Sequence, residues 1–164
     1  REKDGLVGPY SIADNMVLNR FDEPPFSSKG VRSRSAVNTL ATDLVQEYDV
    51  RTPSISTTAE SLSGGNKQKV VIARELSANP EPLIASQPTR GVDVGSIEFI
   101  HSRIVDARDR GAAVLLVSAE LDEVLGLADR VVVMYDGRLV AEMASADVDR
   151  SSIGRLMAGG DIQQ

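Results

Sequence analysis

The stretch "LSGGNKQKVVIAREL", Leu62 to Leu76, sets the frame for the rest of the chain. A serine and two glycines lead into a run of good helix formers, and Pro80 requires that helix to stop near Asn79. Val70, Ala73 and Leu76 share one face and mark its buried side. At the other end, Ser63, Gly64, Gly65 and Asn66 bring a hydroxyl and successive backbone N–H groups to a helix start. Unsatisfied amides and the positive end of the dipole favour an anion there, phosphate above all, and glycine lets it approach closely. A lone Ser-Gly-Gly also fits an ordinary loop with a serine cap, so the flanks have to decide.

Downstream of it the chain alternates strand and helix. Leu83–Ala85 reads as a short strand, and Ile97, Ile100, Ile104 and Ala107 place a helical stripe that Gly111 can terminate. Ala113–Val117 reads as a second, buried strand, and Leu121, Val124, Leu125 and Ala128 as a short helix. "RVVVMYDGRLVAEM" is a hairpin turning at Asp136-Gly137, and Ile153, Leu156 and Met157 mark a last helix before Gly159-Gly160. Upstream the pattern is helix and loop alone. Ser11 to Asp14 has the form of a capping box for a helix from Ile12 to Asn19, and "RFDEPPFSSKGVRSRS" reads as an exposed loop. Val37, Leu40, Ala41, Leu44, Val45 and Tyr48 then form a wide helical stripe ending before Pro53. The expected class is therefore α/β: a helical subdomain over residues 1–79, then part of an α/β sheet over residues 80–164.

Composition narrows the possible functions. The 164 residues are 41% hydrophobic but only 4% aromatic, so the core must be aliphatic. A formal charge of −6 and a pI near 4.8 disfavour a nucleic-acid partner. With no Cys and one His, neither disulfides nor a thiolate or multi-histidine metal site can form. The longest apolar run, Ala112 to Val117, has strand length and is far short of a membrane span. The charged start "REKDGLVGPY" carries no signal peptide and no Met, which leads us to expect a processed or truncated product in the cytoplasm.

Taken together, "LSGGNKQKVVIAREL", the apolar strand after it and "PTRGVDVG" resemble the ATP-binding subunits of ATP-binding-cassette (ABC) transporters, over nearly the whole chain. "SIADNMVLNRF", "QPTRGVDVGSIEFIHSRI" and "GAAVLLVSAELDEV" are similar to the second nucleotide-binding half of tandem ATPases that drive sugar and nucleoside importers, the nucleoside type most closely. The resemblance implies a C-terminal part of a RecA-like P-loop NTPase sheet. The Walker A loop, G-x-x-x-x-G-K-[ST], occurs nowhere in the sequence and is expected upstream of Arg1. It also implies that Ser63, Gly64, Gly65 and Asn66 contact the phosphate of an ATP, with its Mg, held on the opposite half, and that Asp93 is the D-loop acid. Asn66 stands where the family usually has Gln. Asp93 is equally well read as part of a plain strand-to-helix loop.

The family's Walker B strand ends in Asp-Glu-Pro, but here Ser86-Gln87-Pro88 follows the strand. Serine offers a neutral oxygen in place of a carboxylate, and glutamine cannot take a proton; losing a general base costs about 10²–10⁴ in rate. The switch-histidine position is Ala119, and the sole histidine, His101, reads as a helix-surface or packing residue. The resemblance thus implies no intact catalytic residue and no metal ligand here, with a signature loop that still serves a composite site. The isolated chain is expected not to bind or hydrolyse ATP appreciably.

The implied partners are the other nucleotide-binding half, transmembrane permease subunits and, indirectly, a solute-binding protein, at the cytoplasmic face of the membrane. Within the resemblance, Gly5–Leu18 lies in the subdomain that grips the permease, with Tyr10 and Ser11 as contact candidates, although a plain capped helix fits these residues too. Glu120, Asp122 and Glu123 read as the acidic first turn of a helix. A non-catalytic regulatory or scaffolding half is the alternative, and a soluble ABC protein acting on nucleic acid or ribosomes is disfavoured by the acidic composition. Because the missing Walker A strand belongs between the strands of Leu115 and Val132, a gap or an exposed apolar edge is expected.

Overall fold

A computed structural model describes residues 5–159. The charged start at Arg1–Asp4 and the end beyond Gly159, including Gly160 of the expected terminal Gly-Gly, lie outside the described residues. Packing divides the chain into two compact units: Arg1–Leu83 with Pro88–Val114, and Ile84–Gln87 with Leu115–Gln164.

The first unit is a helical assembly. Helix α1 spans Ile12–Asn15, capped by Ser11, whose Oγ accepts from the Asp14 N–H at 3.0 Å. It is shorter than the expected Ile12–Asn19, because the chain passes into turns from Met16 onward. Asn15 is fully buried, and its side chain holds the preceding loop by accepting from the Val7 N–H and donating to the carbonyls of Val7, Tyr10 and Ser11. The segment expected to be only a loop contains a small hairpin, β1 (Ser27–Ser28) and β2 (Val31–Arg32), turning at Lys29-Gly30. Both turn residues have positive φ, 51° and 77°, the geometry of a two-residue primed turn. The Lys-Gly pair was the available signal, masked by its polar, Pro-rich surroundings.

Helix α2 (Arg34–Glu47) starts at the Ser33 cap and buries Val37, Ala41 and Leu44, with Tyr48 at its end; Leu40 and Val45 are only half-buried. Helix α3 (Gly64–Leu76) buries Val70, Ala73 and Leu76 as the periodicity requires, together with Lys69 and Arg74. Lys69 is the notable one. Its Nζ donates to the backbone carbonyl and the carboxylate of Asp49, both at 2.9 Å, and lies 5.0 Å from the Phe99 ring centre. A buried ammonium is tolerable because a carboxylate, a carbonyl and an aromatic face replace water. Helix α4 (Val94–Asp109) packs Ile100, Ile104 and Ala107 inward and ends at Gly111, whose φ of 101° suits glycine alone.

Strands β3 (Pro82–Ser86) and β4 (Ala113–Val117) flank α4 in sequence and pair with one another. Backbone bonds from Ala113 N–H to Glu81 and from Gln87 N–H to Val117 show that they run parallel. In the second unit, helix α5 (Leu121–Leu127) is followed by β5 (Arg130–Tyr135) and β6 (Arg138–Ala144). Their antiparallel hairpin turns at Asp136-Gly137, both with positive φ, as expected. Helix α6 (Arg150–Met157) starts at the Asp149 cap. Val131 and Val133 from the hairpin and Ile153 and Leu156 from α6 form this unit's core, with Leu121, Val124 and Leu125 against them.

Two expectations are corrected in this unit. Met157 is 47% exposed and does not join Ile153 and Leu156 inside. The β4 strand is not buried: Leu115 is 57% and Val117 47% exposed, as is Ile84 of β3 at 69%. The physical reason lies in the pairing. Among the described residues β3–β4 and β5–β6 are separate two-stranded sheets, so β4 and β5 lack a shared neighbour and apolar side chains stay in solvent. These side chains leave an apolar surface exposed, as expected.

Candidate functional site

Ser63 is the N-cap of α3 and is exposed; its Oγ accepts from the Asn66 N–H at 3.4 Å and from Asn66 Nδ2 at 3.0 Å. The two glycines differ in what they face. Gly65 is buried against the start of α4, where a Cβ would lie 2.7 Å from Asp93 Oδ2 and 2.9 Å from Ser96 Oγ. Gly64 is exposed, and a Cβ there would meet only the Gly91 carbonyl at an ordinary 3.6 Å. Packing within the chain therefore demands glycine at 65 and not at 64.

Asp93 is the N-cap of α4, accepting from the Ser96 N–H at 3.0 Å and from Ser96 Oγ at 2.9 Å. The cap itself forms the seat under Gly65. Gln68 Nε2 adds a second tie, donating to the Pro88 carbonyl at 2.8 Å. Ser96, Gln68 and Lys69 were not singled out from the sequence. Asp93-x-x-Ser96 was a detectable capping pattern, whereas the reach of Gln68 to Pro88 depends on how α3 lies against the following loop.

These bonds make the seat sensitive to acid. The Ser96 hydroxyl and amide hold the Asp93 carboxyl below its ordinary value of 3.8, and hydrogen bonding and charge from Lys69 do the same for Asp49. Each folded pKa is depressed, so the stabilisation is fully present above about 3.8 and disappears as pH falls through the folded values. The urea midpoint should therefore stay level above about pH 5 and drop as the pH falls through about 4 and below, and less so in an Asp49→Asn, Asp93→Asn double variant. Parallel pH profiles for parent and variant would contradict the assignment.

Ser86, Gln87 and Ala119, expected to stand at Walker B and switch positions, all fall in the second unit. Ser86 ends β3 exposed, and the Gln87 N–H donates to the Val117 carbonyl at 2.6 Å, two residues before the exposed Ala119. Gln87 has a φ of 51°, a left-handed backbone at a non-glycine residue. Ser86, Gln87 and Ala119 supply no carboxylate, only the neutral oxygens of a hydroxyl and an amide. Among the described residues no group of three or more His, Cys, Asp or Glu is placed to hold a metal. The exposed α3 start does fit a phosphate oxyanion. His101 lies half-buried in α4. Glu120, Asp122 and Glu123 occupy the start of α5 as expected, with Glu123 buried.

The fold is that of an ATP-binding cassette, present in part. With 23% identity and a TM-score of 0.72, the chain aligns with the dimeric structure of MJ0796, a bacterial ABC transporter cassette, covering 88% of this chain and 61% of that one. No protein-family model matches. Sequence relatives are more specific. The nucleoside import ATP-binding protein NupA of Lactococcus lactis subsp. cremoris is 45% identical over all of this chain and 32% of its own length. The guanosine import ATP-binding protein NupO of Bacillus subtilis is 46% identical over 97% of this chain and 31% of its own. The ribose import ATP-binding protein RbsA of Bacillus licheniformis is 39% identical over 98% of this chain and 32% of its own. The chain is a homologue of these ABC import ATP-binding proteins and spans about a third of their length.

Proposed function

We propose that this chain is the signature-bearing part of an ATPase subunit that energises an ABC importer for nucleosides or simple sugars. Residues 1–79 act as the helical signature subdomain and residues 80–164 as part of the RecA-like core. Ser63, Gly64 and Gly65 present the start of α3 to an ATP on the opposite nucleotide-binding half, with Asp93 beneath them. The chain's own Walker B position, Ser86-Gln87, together with Ala119 at the switch position, contributes no acid or base. The two composite sites are thus unequal, and hydrolysis is driven where this signature loop meets the other half's intact machinery.

Gly64 carries this reading. Glycine in a helix interior costs roughly 1 kcal/mol relative to alanine, and no contact among the described residues requires glycine at this first position. Its absent side chain is explained by an anion drawn against the exposed amides. Exposed apolar residues near α1, Val7 and Tyr10, at 38% and 52%, suit contact with permease subunits at the inner membrane face. No described helix is long and apolar enough to cross a membrane.

The chain alone should show no micromolar, Mg-dependent affinity for ATP in a calorimetric titration, since it has no G-x-x-x-x-G-K-[ST] loop. Its exposed Ile84, Leu115 and Val117 should also drive concentration-dependent self-association in sedimentation. Tight binding of ATP by a stable monomer would overturn both expectations.

A further inference from the structure

We propose that Asn66 is a positioning residue that fixes the Ser63 hydroxyl as a hydrogen-bond donor toward the phosphate, rather than contacting the nucleotide itself. This rests on the reading of the signature loop given above and goes further in dividing its residues by task.

Three bonds carry it. Asn66 Oδ1 accepts from the Arg51 backbone N–H at 2.8 Å. An amide nitrogen of the main chain can only donate, so the oxygen of the Asn66 amide must face Arg51 and its NH₂ must face the other way. That NH₂ donates to Ser63 Oγ at 3.0 Å, and the Asn66 backbone N–H donates to the same oxygen at 3.4 Å. A serine hydroxyl has two acceptor lone pairs and one hydrogen. With both lone pairs directed at Asn66, the hydrogen points away from the helix, where a donor to an oxyanion is required.

The anchor is itself held. Arg51 lies two residues after Asp49, which Lys69 grips through its carbonyl and carboxylate at 2.9 Å. The first two turns of α3 thereby clamp the 49–51 segment from two points, and the segment orients Asn66. This also gives the Asn-for-Gln difference a physical basis. Glutamine at the third helical position reaches back to the backbone N–H of the cap residue, whereas the shorter asparagine here bonds the cap hydroxyl and a neighbouring loop.

The test uses the complete polypeptide that carries this chain, assembled with its membrane subunits, with Mg-ATP as the probe. Asn66→Ala should lower kcat for ATP hydrolysis about tenfold with KM within about twofold, because the opposite half binds ATP before Ser63 engages it. In a Ser63→Ala background the same substitution should lower kcat by less than about twofold. Asn66→Asp guards against a folding artefact, since an acid suits the first turn of a helix. Its second carboxylate oxygen accepts the Ser63 hydroxyl hydrogen, so kcat should fall at least tenfold with an undiminished thermal midpoint. Equal losses in the two backgrounds, or a parental kcat in Asn66→Asp, would overturn the positioning role alone. A parental kcat in Ser63→Ala itself would overturn the phosphate-contact reading, and the positioning role with it.

Discussion

Gly65→Ala is expected to destabilise the chain by about 2–4 kcal/mol, the sum of an overpacking cost and a lost helix cap. The added Cβ would stand 2.7 Å from Asp93 Oδ2 and 2.9 Å from Ser96 Oγ, closer than carbon and oxygen can approach. Both obstructing atoms end short side chains that hold one another, and Asp93 cannot withdraw without giving up the Ser96 N–H. Either α3 lifts from α4 or the α4 cap opens. Gly64→Ala, one residue earlier, should stabilise by about 0.5–1 kcal/mol, since nothing obstructs it and alanine favours helix. Urea unfolding of the two variants separates the outcomes, and similar shifts of one sign would refute the packing account. Adding Asp93→Ala to Gly65→Ala should recover part of the loss, because it removes the nearer obstruction.

Ser63→Arg and Gln87→Ala should have opposite weight in the complete polypeptide. Arginine at 63 removes the cap oxygen and places a bulky cation over the exposed start of α3. ATP hydrolysis and uptake should fall by about 10²–10³, the scale of losing a preorganised donor to a developing oxyanion. Gln87→Ala deletes a side chain that cannot serve as a base, and its main effect falls on an already left-handed backbone position. Hydrolysis should stay within about twofold of parent. The reverse pattern, with Gln87 essential and Ser63 dispensable, would sink the assignment of unequal sites.

Much of the fold was legible because it rests on local rules. Pro80 and the Val70, Ala73, Leu76 spacing defined α3, Gly111 ended α4, and Asp136-Gly137 turned the second hairpin. Misreadings occurred where neighbours outweigh periodicity. "AVLLV" has the composition of an interior strand, yet Leu115 and Val117 are exposed, and among the described residues β4 pairs with β3 alone. A residue pattern records what a strand prefers to meet, not whether it is met. Met157 lies on the apolar stripe of α6, but the hairpin core closes over Ile153 and Leu156 alone. The first hairpin escaped notice because two-residue strands carry no periodicity to read.

The same division runs through the site. Sequence by itself determined the Leu62–Asn66 motif and the uncharged side chains at Ser86, Gln87 and Ala119. These are matters of residue type at short spacing, and no folding is needed to see them. Only the tertiary structure decided that the two glycines differ, that Asp93 and Ser96 form the seat of one of them, and that Asn66 is turned toward Arg51 and Ser63. Those facts depend on backbone segments that lie 15 to 28 positions apart in the chain, Arg51 to Asn66 and Gly65 to Asp93. Hydrogen bonds and close packing act over about 3–4 Å, and only the folded chain brings such segments within that range.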